Sequence, residues 1–377
     1  VKKFSAILIL IFLLSCDQLG ETEFLPSSDL SGNSSRLLAK SGIPLSLTNI
    51  EQVQSIGASM YSFVTINDWY DNESLLYLTD ENGLSIVYKF HILTGEEEIF
   101  FQLDQPIISL EANRNFSIFV IEVSTMRGNK ELYFLSKKGE VLYTLSELGE
   151  HYELYWNPHT EGELTVATVQ DDFSIELFHL NLNTKEVRNF EFDHFYIQWM
   201  NKEELAYLNW DMYSLSFYAT LYTYDVKEQR ETKLLDEIIT FFSFGDVFLT
   251  VSIEDKNVSK SDYIFYDTQT KEEISSIKIP ILNTYSEQWW IPFQDYDASS
   301  NTFYILQPLS NGDLFDYSEG YRLVSFEVET EKTKDIALLS EDFPLKASPD
   351  GQWLVYGYQL ENLVDIKKKK IHSLLHW

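Results

Sequence analysis

The chain has 377 residues, 44% of them apolar and 15% aromatic, which is enough to fill a core and too apolar for disorder. Its formal charge of -31 repels phosphate backbones and anionic headgroups, so nucleic acid is excluded as a partner and protein charge cannot hold the chain on a membrane. A single cysteine excludes internal disulfides and every zinc motif built on cysteine pairs.

The first predicted element is an export signal. Lys2 and Lys3 precede an apolar run over residues 4–14, and Ser15 leads into Cys16. A basic start, a short apolar stretch and a small residue before the cleavage point distinguish such a signal from a spanning helix, which needs ~20 apolar residues. Leu13-Leu14-Ser15-Cys16 resembles the lipobox of bacterial lipoproteins. That resemblance implies removal of residues 1–15 and diacylation of Cys16, placing the chain on the extracytoplasmic side of the cell membrane. Two acyl chains on one sulfur suffice for stable attachment. Asp17, next in line, resembles an inner-membrane retention signal where a host has two membranes, and carries no meaning where it has one. Residues 16–45, with Pro26-Ser27-Ser28 and Ser31-Gly32-Asn33-Ser34-Ser35, read as a flexible tether.

Residues 46–377 repeat. An aromatic, apolar strand followed by a polar turn recurs from Tyr88, Leu132, Leu177, Leu221, Tyr263, Leu323 and Leu363, at spacings of 44, 45, 44, 42, 60 and 40 residues. Each copy is preceded by another apolar strand and, before it, by a turn that is clearest at Ser348-Pro349-Asp350-Gly351. There proline fixes φ, aspartate bonds the backbone two residues on, and glycine supplies a positive φ. Short strands with a period near 45 predict an all-β fold, a β-propeller of four-stranded blades. Seven copies imply seven blades, with six or eight as alternatives, and ring closure predicts pairing of residues 46–62 with the last repeat. The Ser-Pro-Asp-Gly turn, its aromatic-aliphatic strand and the strand Leu221-Tyr222-Thr223-Tyr224-Asp225 resemble blades of the TolB-like and WD40-like propellers. The whole resembles lipid-anchored propellers of the YqgU-like type. The basic run 367–370 reads as a solvated turn.

Reactive constellations are sparse. The seven histidines form no His-Glu-x-x-His, and the sequence has no Gly-x-Ser-x-Gly elbow and no phosphate-binding glycine loop, so neither a catalytic residue nor a cofactor is assigned. His91 and His179 read as strand-face histidines with ordinary partners. Asp171 with Asp172, Asp295 with Asp297, and Asp313 with Asp316 are the carboxylate pairs that calcium or acid-base chemistry would use, and none has EF-hand spacing.

The long connections 210–219, 254–262, 280–293 and 307–321 all belong to the two loop classes that share one face of a propeller, so that face is the predicted working surface. It offers Trp210, Tyr213, Tyr218, Tyr285, Trp289, Trp290 and Tyr317 as candidate binding residues, with Phe217, Phe315 and Tyr321 beside them. The alternative is that these rings pack on one another over the blades. The expected function is binding or scaffolding of a protein or wall polymer. Its rivals are a propeller-type lactonase, lyase or glycoside hydrolase with axial calcium or carboxylates, and a structural lipoprotein with no ligand.

Overall fold

Burial grades across each repeat, and this gradient is what makes a blade. The second strand of every repeat is almost wholly buried, as in Ser74–Glu81 and Trp353–Tyr356, and reads as a continuous apolar run because a neighbouring sheet covers each of its faces. The fourth strand is mostly exposed and rich in Glu, Lys and Arg, as in Glu186–Phe190 and Lys332–Leu339. Charge on such an edge discourages pairing with another chain.

The computed structural model describes residues 52–376 apart from 126–129, 147, 149–150, 171–173, 191, 193, 211–217, 254–258 and 285–288. The signal, Cys16 and the tether therefore lie outside the described residues. Seven four-stranded antiparallel sheets follow in order, blades 1 to 7, over residues 63–103, 107–145, 151–190, 197–238, 240–280, 294–339 and 345–373. Each takes its strands from one continuous stretch of chain in the order inner to outer.

Seven apolar clusters lie between successive blades. Leu76 and Val87 of blade 1 meet Ile107 and Phe119 of blade 2. Six further seams continue round to the one in which Trp353, Leu363 and Leu374 of the last blade meet Phe63, Trp69 and Phe90 of the first. A seventh seam joining last to first is what closes a ring, so the blade count is seven.

Closure differs from the pairing expected of residues 46–62. Among the described residues no terminal strand completes a distant blade, and residues 46–51 lie outside them. Among the described residues, Gln54 N–H donates to the Ile92 carbonyl of blade 1 and Ile56 N–H to the Leu374 carbonyl after blade 7, each at 2.8 Å. The buried Ile56 side chain enters the same seam. The last repeat already supplies four strands of its own, so the incoming chain has no vacant ladder position to fill.

A three-stranded sheet stands outside the blades. Leu282–Asn283 pairs antiparallel with Trp289–Trp290 and parallel with Gly312–Asp313. It knits the connection between blades 5 and 6 to the long loop inside blade 6.

Candidate functional site

The inner strands surround a polar axial channel. Asp68 of blade 1 accepts the Ala112 N–H of blade 2 at 3.0 Å, Gln198 of blade 4 accepts the Ser243 N–H of blade 5, and Asp295 of blade 6 accepts the Ala347 N–H of blade 7 at 2.7 Å. One side chain thus latches a blade to the next at three places on the ring. Indoles add two more ties, Trp69 Nε1 to the Lys346 carbonyl at 3.0 Å and Trp199 Nε1 to the Tyr155 carbonyl at 3.1 Å.

Charge is concentrated there. Lys346 Nζ lies 2.6 Å from Asp68 Oδ2, and Asp68, Glu111 and Asp295 together hold its pKa above the ordinary lysine value although burial acts the other way. Burial raises Asp295 to about 6 in spite of two N–H donors. Glu111 and Glu153 face water within the channel while protein walls them in, and this loss of bulk solvent pushes both carboxyls up.

Two cavities occupy the channel. One, of about 620 Å³, is walled by inner-strand residues Asp68, Asp295 and Lys346 and by Asn115, Ser299 and Pro349 from first-to-second-strand turns. It therefore opens on the face opposite the long insertions. The other, of about 400 Å³, is lined by Glu153, Tyr155, Tyr196, Trp199, Phe244 and Tyr296. Arg114 lines both. It leaves the first turn of blade 2 and reaches Gly245 of blade 5, where a Cβ would stand 2.7 Å from Nη1; glycine at that position makes the reach possible. Sequence reasoning passed over Arg114, since a lone arginine in a polar turn looks like any solvated side chain.

The predicted binding residues divide. Trp210 is 44% exposed. Tyr218 is half-buried. Trp290 packs, like Leu314 and Tyr317, against the apolar cluster between blades 6 and 7, and its Nε1 donates to Asp342. The Tyr317 hydroxyl donates to the Gly320 carbonyl at 2.6 Å and accepts the Leu309 N–H at 2.7 Å. Trp289 enters the small sheet through its backbone, paired with Asn283. Tyr213 and Tyr285 lie outside the described residues. The structure thus brings Trp290, Tyr317 and Tyr321 into one packed group beside blades 6 and 7.

The insertion-bearing face also exposes Met60, Tyr61, Phe293, Leu309, Phe315 and Tyr358, all in connections at that end of the blades. No large apolar residue is exposed in the turns of the opposite face among the described residues.

The carboxylate pairs are engaged locally. Asp297 accepts Ser299 N–H and the Ser300 hydroxyl, Asp313 accepts Phe315 N–H, and Asp171 and Asp172 lie outside the described residues. No group of three or more potential metal ligands occurs among the described residues. His91 sits 3.5 Å from Glu73 and His179 3.7 Å from Glu163, the ordinary partners expected of strand-face histidines.

Seven sheets in a closed ring about a polar axis define a β-propeller. Residues 91–357 match the family described as the YqgU-like 6-bladed beta propeller domain, and the chain belongs to that family. The matched span begins at the end of the third strand of blade 1 and stops just after the second strand of blade 7. It thus holds five whole blades and parts of two more, and the ring in this chain has seven blades where the family description gives six.

The chain is 23% identical over 307 residues to the uncharacterized lipoprotein YqgU of Bacillus subtilis (strain 168), covering 81% of this chain and 83% of that protein. Its fold resembles the crystal structure of uncharacterized protein lmo1340 from Listeria monocytogenes EGD-e, with a TM-score of 0.78 at 16% identity over 86% of this chain and 98% of that one. It also resembles the propeller domain of the Trilobed protease from Pyrococcus furiosus, described as having an open velcro topology, with a TM-score of 0.56 at 11% identity over 84% and 98% of the two chains. Likeness at these identities speaks to fold alone.

Proposed function

We propose that the protein is an extracytoplasmic binding module, held on the bacterial cell membrane by a diacylglyceryl group on Cys16, that docks a partner protein through the insertion-bearing face. The carrying observation is the asymmetry of exposed apolar side chains. Trp210, Phe315 and Tyr358 stand exposed on that face, whereas the turns of the other face expose no large apolar residue among the described residues. Aromatic rings on otherwise polar loops supply contact area at small entropic cost and are enriched at hot spots of interfaces. The lipidation motif and the similarity to a lipoprotein support the anchor.

The test is photo-crosslinking in intact cells, with the crosslinker placed at Trp210 or Tyr358 on one face and at Asn115 on the other. The expected result is a defined protein adduct from the first two positions and none from the third. Identical adducts from both faces, or none from either, would overturn the docking surface. Substitution Cys16→Ala is expected to move the protein from the membrane fraction to the soluble one, and retention on the membrane would overturn the anchor.

A further inference from the structure

We infer that the cavity gathered around Arg114 in the axial channel is a binding site for a saccharide bearing a carboxylate, distinct from the exposed apolar residues of the docking face.

The argument begins with an unspent cation. Arg114 lines a cavity walled by blades 2 to 6, yet its guanidinium makes no hydrogen bond and no ion pair with any described residue. Of the carboxylates around it, Asp295 is committed to two backbone N–H groups, Asp297 to Ser299 and Ser300, and Asp68 to Lys346 and Ala112, while the exposed Asp246 acts on it through space without an ion pair. A guanidinium taken out of bulk water and left unpaired is costly, and the group that suits its planar fork of five donors is a carboxylate or phosphate bound at two oxygens.

Ring-shaped neighbours narrow the choice. Phe244 stacks on Tyr296 with centroids 4.6 Å apart and planes 14° apart, and Tyr155 and Tyr196, in edge-to-face contact with each other, line the same cavity. The negative faces of such rings attract the polarised C–H groups on one side of a pyranose. Glu153 lines that cavity, has no hydrogen-bond partner among the described residues, and can only accept hydrogen bonds when ionised, which suits hydroxyl donors. A free cation, a free acceptor and flat apolar walls in one space of about 400 Å³ thus fit a sugar acid better than either a bare anion or a neutral sugar.

The experiment is calorimetric titration of the intact domain, residues 46–377, with glucuronate, glucose and inorganic phosphate. Saturable binding of glucuronate is expected, with no measurable binding of the other two. Arg114→Gln should weaken glucuronate by at least about tenfold, the usual loss when a charge-assisted bond is removed, and Arg114→Lys by less. Thermal unfolding of each variant in the absence of ligand separates a binding role from a structural one. Equal affinity of the parent and Arg114→Gln, absence of saturable glucuronate binding, or phosphate binding as tightly as glucuronate would each overturn the assignment. Loss of melting temperature in Arg114→Gln with no glucuronate binding by the parent would make Arg114 a tie across the channel instead.

Discussion

At the residue scale, the most revealing groups are aspartates whose carboxyls burial pushes up. Asp342 accepts Phe293 N–H at 3.0 Å and the Trp290 indole, yet burial wins and its pKa rises to about 6. An unfolded aspartate ionises near 3.8, so between that pH and about 6 the folded state keeps a proton that the unfolded chain has lost. The unfolding free energy must therefore fall as pH rises through this window, with the contribution of Asp342 fully present only below it. Asp342→Asn cannot ionise. Measured by urea unfolding, its stability relative to the parent should improve between about pH 4 and pH 7; a constant difference would show that Asp342 ionises freely in the fold. Such a group was invisible in the sequence, where Asp342 is one of 59 acidic residues. Trp290 and Tyr317 were conspicuous there, but their orientation was not. Aromatic residues serve cores and interfaces through the same large surface, and only the partners Asp342, Gly320 and Leu309 show that these two are tied into the fold.

At the scale of elements, the turn Ser348-Pro349-Asp350-Gly351 carries the strongest local signal, and its geometry explains why. Gly351 N–H donates to the Ser348 carbonyl at 2.8 Å, Trp353 N–H to the Ser348 hydroxyl at 3.1 Å, and Gly351 holds φ at +64°. A Cβ on Gly351 would also collide with the Asp297 carboxylate of the neighbouring blade. Gly351→Ala is expected to destabilise the domain by about 1–3 kcal/mol, read as a lower midpoint in urea without a change of slope; a midpoint equal to the parent would show that the turn can yield. The repeat was legible because each blade must bury its second strand between two neighbours, which imposes an apolar run once per blade. Other blades turn with different chemistry: blade 2 uses Asn113, whose Oδ1 accepts the N–H groups of Ser117 and Ile118 at 2.9 and 3.0 Å. The small sheet was illegible, since two-residue strands at Leu282–Asn283 and Gly312–Asp313 carry no periodicity and pair at a sequence separation of 30. The basic run 367–370 is the exposed end of a hairpin, in which Lys368 N–H donates to Asp365.

For the whole molecule, stability rests on seven seams of similar construction, and the seam between blades 7 and 1 is the one the chain crosses without a covalent link. Ile56, 4% exposed, belongs to that seam. Ile56→Ala should cost about 2–4 kcal/mol by removing buried methyl groups and leaving a cavity, and hydrogen exchange should then speed first in blades 1 and 7. Uniform acceleration round the ring would mean that the seams melt together. The unequal gap of 60 residues among otherwise even spacings reflects the connection 281–293 and the loop 309–320, both on the face with exposed aromatics. A ring whose two ends, among the described residues, meet without exchanging a strand has a mechanical weak point, and its position matters. Tension arriving through the chain ahead of residue 52 loads the backbone bonds of Gln54 and Ile56 before any blade ladder. The fastening that shuts the circle would thus be the first part to feel a pull, and the six other junctions would be shielded until it let go.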